Sequence, residues 1–149
     1  MRIGLIYTSI SGNTKELALI LYDQFKKRNL DVYLYTIEQF TCNRLDEFDA
    51  VVVGTYTWGN GEIPEEMMYL YREFEKINRS NMVTGIFGTG DSFYLHYCGA
   101  VDMFRDLLKV RTDLSVTLKV ELLPQNQDLT RCEKFVDLIL ARLENLISH

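Results

Sequence analysis

Apolar and polar positions along this chain alternate between short apolar runs and longer amphipathic stretches. The runs RIGLIY (2–7) and DVYLYT (31–36) are rich in Ile, Val and Tyr, the composition of strands. Between them, residues 13–28 place Leu17, Ile20, Leu21 and Phe25 at helical spacing, which completes a βαβ unit. The alternation continues with a strand at 49–55 (DAVVVGT), a helix over 65–77, a strand at 82–88 (MVTGIFG), a helix over roughly 98–109 and a fifth strand at 115–122 (SVTLKVEL). From Leu129 the tail carries Phe135, Val136, Leu138, Ile139, Leu143 and Leu146 on a helical stripe. Pro64 opens a helix and Pro124 ends a strand.

Runs such as GLIY and VVVG have no polar alternation, so both faces of those strands are covered. Together with the intervening helices this predicts a parallel α/β sheet. Right-handed crossovers then leave few topologies. No linker, internal repeat or low-complexity tract interrupts the 149 residues, so a single domain spanning 1–149 is expected.

Composition narrows the function classes. Hydrophobic residues at 47% and charged residues at 25% are ordinary for a folded globular chain and exclude disorder or a fibrous repeat. A formal charge of −5 argues against nucleic acid or an anionic membrane as partner and favours basic protein surfaces. With no signal peptide and no apolar run near the ~18 residues of a membrane span, the cytoplasm is the expected location. Cys42, Cys98 and Cys132 are scattered and odd in number, without metal-ligand spacing, so neither disulfides nor a metal site is expected.

In an open parallel sheet, ligands sit beyond the carboxyl ends of the strands, where the strand order reverses. The loops leaving strands one, three and four are Thr8-Ser9-Ile10-Ser11-Gly12-Asn13-Thr14, the stretch 55–64 (TYTWGNGEIP) and the stretch 88–99 (GTGDSFYLHYCG). The first enters a helix through small uncharged residues. Backbone N–H groups of Ser11 to Thr14, with the hydroxyls of Ser9, Ser11 and Thr14 and the Asn13 amide, suit an oxyanion held without a salt bridge at the positive end of the helix dipole. Helix capping alone also uses such residues. The loop matches neither GxxxxGKS nor GxGxxG, which counts against nucleotide triphosphates and dinucleotides. In the second loop, the only tryptophan, Trp58, lies between Tyr56 and Gly59-Asn60-Gly61. In the third, Phe93, Tyr94 and Tyr97 lie among Gly88, Gly90 and Asp91. Two aromatic loops beside a phosphate cradle describe a slot for a planar ring with a phosphate tail. His96 is expected at the surface near that slot, His149 is expected to be exposed, and Cys98 reads as a packed helix start.

SISGNT, TYTWGNGEIP, GTGDSFYLHYCGAVD and KVELLPQNQDL, in that order over essentially the whole chain, resemble the flavodoxin family, and the uninterrupted fifth strand resembles its short-chain bacterial members. The resemblance implies a three-layer flavodoxin-like fold, a five-stranded parallel sheet in the order 2-1-3-4-5, and one non-covalent FMN. It implies that Ser9, Ile10, Ser11, Gly12, Asn13 and Thr14, following Thr8, hold the phosphate. Trp58 and Tyr94 would cover the two ring faces, within the segments Thr55, Tyr56, Thr57, Gly59, Asn60, Gly61 and Phe93. Thr89, Gly90, Asp91 and Cys98 would contact the ring's polar edge. Gly59 matches the position whose peptide turns over when the flavin gains its first electron, stabilising the neutral semiquinone; glycine tolerates both backbone states. Ser11 stands where Thr is usual, and Lys15 where an acid is common.

Asp91, Glu62, Glu65 and Glu66 are expected around the ring with no lysine or arginine, which favours a low-potential one-electron carrier. No catalytic residue and no metal ligand is assigned. The implied partners are a flavodoxin reductase and redox acceptor proteins with basic patches, met transiently by a monomer. Alternatives are a flavodoxin-like activator of a ribonucleotide reductase metal cofactor, from which Trp58 distinguishes this chain, and an FMN-dependent quinone reductase, whose open site Tyr94 would cover. A receiver domain would need an aspartate where Gly54-Thr55 stand.

Overall fold

The computed structural model describes residues 1–148, with side chains through Leu146; the expected exposure of His149 lies outside the described residues. Nine regular elements run in the order β1 (Arg2–Tyr7), α1 (Asn13–Lys27), β2 (Asp31–Thr36), β3 (Ala50–Tyr56), α2 (Met68–Lys76), β4 (Arg79–Gly90), α3 (Gly99–Arg111), β5 (Thr112–Glu121) and α4 (Leu129–Ser148). The strands form one parallel sheet in the order β2-β1-β3-β4-β5, as the sequence led us to expect.

Strand alternation sorts the core into two halves. Ile3, Leu5, Val52, Val83 and Phe87 point to one face of the sheet, where they meet Leu17, Ala18, Leu21 and Phe25 of α1 and Phe135, Val136, Ile139 and Leu143 of α4. Ile6, Val51, Val53 and Ile86 point to the other face, against Leu70 and Phe74 of α2 and Ala100, Val101, Phe104 and Leu108 of α3. Each helix buries one stripe at i, i+4 spacing, and each fully buried Phe or Leu contributes about 1.5–3 kcal/mol relative to exposure. Ile20 is only partly buried, and Leu138, expected on the α4 stripe, is 39% exposed.

Several boundaries differ from the sequence expectation. β5 begins at Thr112 rather than Ser115, and β4 spans Arg79–Gly90 rather than 82–88, because Arg79 already pairs with Thr112 through a register shift. The helix expected over 65–77 begins as a 3-10 turn, Glu65–Met67, and becomes α-helical at Met68. Two further 3-10 turns between β2 and β3, Ile37–Gln39 and Cys42–Glu47, add Ile37, Cys42 and Leu45 to the core half that meets α2 and α3, and were not expected. No helix among the described residues is long and apolar enough to cross a membrane.

Candidate functional site

Strand order reverses between β1 and β3, so the loops after these strands diverge toward opposite faces and leave a crevice at their carboxyl ends. The first loop begins at Thr8, whose N–H donates to the Gly54 carbonyl at 3.0 Å and so continues the sheet by one residue. Gly12 is the N-cap of α1 at φ 94°, and its N–H donates to the Ser9 hydroxyl at 3.2 Å. The N–H groups of Ser11, Asn13 and Thr14 find no acceptor among the described residues, at the helix end where the peptide dipoles leave partial positive charge. Thr14 is buried, and its hydroxyl lies 2.7 Å from that of Thr89 on β4. It ties two loops together instead of lining the crevice.

After β3, Trp58 and Glu62 exchange both backbone hydrogen bonds at 2.8 Å, closing a three-residue loop in which Gly59 has φ 51°. Left-handed geometry at the tip of so tight a loop favours glycine. The Thr57 hydroxyl accepts the Ala100 N–H at 3.2 Å. It supplies the cap that α3 otherwise lacks, since the N-cap residue Cys98 makes no side-chain bond to the helix N–H groups. The third loop is shaped by Asp91, whose carboxylate accepts the Phe93 N–H at 3.0 Å and whose carbonyl accepts the Tyr94 N–H at 3.1 Å. After this Asx-turn Phe93 is 95% exposed, and Tyr94, 68% exposed, borders the crevice. Ser92 anchors the same turn to Glu121 at 2.6 Å. Tyr97 turns toward a second depression, beside Lys119, and takes no part in the crevice.

The three loops enclose a cavity of about 560 Å³ lined by Ile10, Ser11, Asn13, Tyr56, Thr57, Trp58, Gly59, Thr89, Gly90, Asp91, Tyr94, His96, Cys98 and Leu122. That volume suits a cofactor-sized ligand. Of the residues expected from sequence, Thr8, Ser9, Gly12, Thr14, Thr55, Asn60, Gly61 and Phe93 are not on its wall. Thr8 and Thr55 are buried, and the Thr55 hydroxyl donates to the Tyr56 carbonyl. Leu122 was not expected. Its N–H donates to the Gly90 carbonyl at 2.8 Å, which brings the exit of β5 alongside the third loop. The sequence predicts Leu122 as the last residue of the fifth strand, whereas β5 ends at Glu121; the apolar pair Leu122-Leu123 is the only signal in the sequence.

Among the described residues, Asp91 is the only acidic one on the wall, and neither lysine nor arginine lines it. Glu66, expected to surround the ring, is held elsewhere: it accepts hydrogen bonds from Thr8 at 3.0 Å and Tyr56 at 2.6 Å. Partial burial raises its carboxyl pKa, but bonds from Tyr56, its own backbone and Thr8 outweigh that and leave it below the usual carboxylate value. Burial pushes the Cys98 thiol up to about 11, only partly countered by Tyr97 and Lys119, so Cys98 is a packed helix start and not an activated nucleophile.

The family model for flavodoxin matches residues 5–135. This chain belongs to the flavodoxin family. "Probable flavodoxin 1" of Bacillus subtilis (strain 168) is 35% identical over 138 residues, covering 91% of this chain and 87% of that protein. Among solved structures, the flavodoxin of Streptococcus pneumonia TIGR4 superposes with a TM-score of 0.89 at 31% identity, covering 95% of this chain and 99% of that one. A short-chain flavodoxin associated with a bacterial microcompartment superposes at 0.91 and 27% identity, covering 96% and 99%. Flavodoxins bind FMN and carry electrons. The donor set here fits that cofactor: unpaired N–H groups at the start of α1 match a phosphate, and a wall bearing Trp58 and Tyr94 matches a flat ring system.

Proposed function

We propose that this flavodoxin is a low-potential one-electron carrier, working as a single FMN-binding domain that takes electrons from a reductase and passes them to an acceptor redox enzyme. FMN supplies the electron chemistry when bound; the chain positions and tunes it. In this reading Ser11, Asn13 and Thr14 donate N–H bonds to the phosphate, with Ser9, Ile10 and Gly12 shaping their loop. Trp58 and Tyr94 cover the ring faces, and Thr89, Gly90, Asp91 and Cys98 border the ring's polar edge. The observation that carries the reading is a cavity with aromatic residues on its wall, uncharged donors at one end and a carboxylate unbalanced by any cation. Asp91 and the apolar wall disfavour added negative charge inside the cavity, which lowers the reduction potential.

A net charge of −5 supports transient docking on partners with basic patches, by a monomer in the cytoplasm. Purified protein should be yellow and take up electrons in two resolved one-electron steps in a redox titration. Protein that is colourless and fails to quench the fluorescence of added FMN would end this reading. Steady turnover of a quinone with a nicotinamide cofactor and no reductase present would replace it with an enzyme.

A further inference from the structure

Glu66 lies outside the cavity wall, in the 3-10 turn that precedes α2, yet one of its carboxylate oxygens accepts two hydrogen bonds from the site. The Tyr56 hydroxyl donates to it at 2.6 Å, and the Thr8 hydroxyl donates to the same oxygen at 3.0 Å. Tyr56 ends β3 and lines the cavity, just before the loop that carries Trp58. Thr8 is buried at the root of the first loop, with its N–H fixed to Gly54. The other loop pairs are joined directly, Thr14 to Thr89 and Thr57 to Ala100, but the first and second loops have this carboxylate between them.

We propose that Glu66 is a positioning residue for the cofactor pocket: its single bridging oxygen sets the spacing between the first loop and the Trp58 loop before the cofactor binds. This role rests on the FMN reading above. One observation and one expected difference in sign oppose the simpler view of Glu66 as one more surface carboxylate. Tyr56 is pushed up to about 12 by burial and by its bond to Glu66, as an engaged phenol should be. Moreover, a negative charge acting through space alone would repel a phosphate in the neighbouring loop, so removing it would tighten FMN binding. Positioning predicts the opposite sign.

The experiment compares wild type, Glu66→Ala, Glu66→Gln and Tyr56→Phe full-length chains. FMN and riboflavin affinities are read by flavin fluorescence quenching, and the Tyr56 phenol is titrated by NMR with labelled tyrosine. Glu66→Ala should weaken FMN about tenfold, a fraction of what two hydrogen bonds to a charged acceptor contribute, because part of their loss falls on folding stability and not on binding. Riboflavin, lacking the phosphate, should weaken as well, because the Trp58 loop shifts too. Tyr56 should titrate lower in Glu66→Ala than in wild type, since burial remains but the bond to Glu66 and its charge are gone. Glu66→Gln, whose amide oxygen accepts both bonds without the charge, should recover most of the lost affinity. Tighter or unchanged FMN binding in Glu66→Ala, or an unmoved Tyr56 titration, overturns the role. Should Glu66→Ala not fold, Tyr56→Phe removes one of the two bonds, and its unchanged affinity for FMN would overturn the role equally. A wild-type chain that binds no flavin would bring down the carrier reading and this role together, whereas wild-type binding with an indifferent Glu66→Ala removes this role alone.

Discussion

Gly99, the first residue of α3, offers a sharp test of how the site is assembled. A methyl group placed there would sit 2.7 Å from the Gly61 carbonyl oxygen and 2.8 Å from its Cα. The closer approach is about 0.7 Å short of the 3.4 Å at which ordinary contact begins, and both groups are backbone, so no side chain can swing aside. Gly99→Ala must therefore push the Trp58 loop away from the start of α3. Overpacking of this kind costs roughly 1–3 kcal/mol. Helix propensity works the other way, since alanine is favoured over glycine by up to about 1 kcal/mol in a helix. The net expectation is a loss of about 1–2 kcal/mol, or ~2–8 °C in melting midpoint for a chain of this size. Urea unfolding of the flavin-free chain measures that loss, and FMN affinity should fall with it because the displaced loop carries Trp58. A variant as stable as wild type or more so, with unchanged affinity, would show that the contact between the second and third loops does not set the pocket.

Further expectations follow from the same geometry. Trp58→Ala and Tyr94→Ala should each weaken FMN binding by about 1–3 kcal/mol, the usual range for a lost aromatic–base stack, read by fluorescence titration. Thr14→Val should destabilise the chain by about 1–3 kcal/mol in urea, because the buried Thr89 hydroxyl loses its partner at 2.7 Å. The double variant Thr14→Val, Thr89→Val should recover much of that. Asp91→Ala should release the turn that separates Phe93 from Tyr94, raising the FMN dissociation rate several-fold in stopped-flow mixing.

An element or contact is legible in the sequence where a residue's neighbours lie nearby along the chain. β1 and β2 were legible to their last residues, since their apolar runs stop at polar ones. The start of β4 was not, because Arg79-Ser80-Asn81 reads as a loop until its pairing with Thr112 is known. The 3-10 turn at Ile37–Gln39 did carry a local signal, Thr36 and Gln39 in capping-box spacing, with the Thr36 N–H donating to the Gln39 side chain. In the site, the loops and both wall aromatics were legible from motif order. The destinations of individual hydroxyls were not. Thr8, Thr14, Thr55 and Thr57 look alike as donors in the sequence, yet each is committed to a partner in the fold, and Thr14, Thr57 and Thr8 meet theirs 75, 43 and 58 residues away. Leu122 reaches the cavity only through its bond to Gly90, also a long-range contact.

Stability should fall at both ends of the pH range, for opposite reasons. Glu66 binds its proton less tightly folded than unfolded, because Tyr56 and Thr8 donate to its ionised form against the opposing effect of burial. Its contribution is present above the ordinary glutamate value near 4.5 and is lost as pH falls through the lower folded value. Glu66→Gln has no proton to bind and should flatten this acid limb. At the alkaline end, burial raises Cys42, Cys98 and Cys132 from 9.0 to about 11 each. Between those values the folded chain holds more protons than the unfolded one, so their contribution is complete below pH 9 and declines as pH rises through 11. Cys132→Ala leaves the cavity untouched and removes one of the three titrating thiols, so its urea-unfolding free energy should vary less steeply between pH 9 and 11 than that of wild type. If the two slopes were the same, the Cys132 thiol would have to ionise as easily inside the core as in water, against its complete burial on the core-facing side of α4.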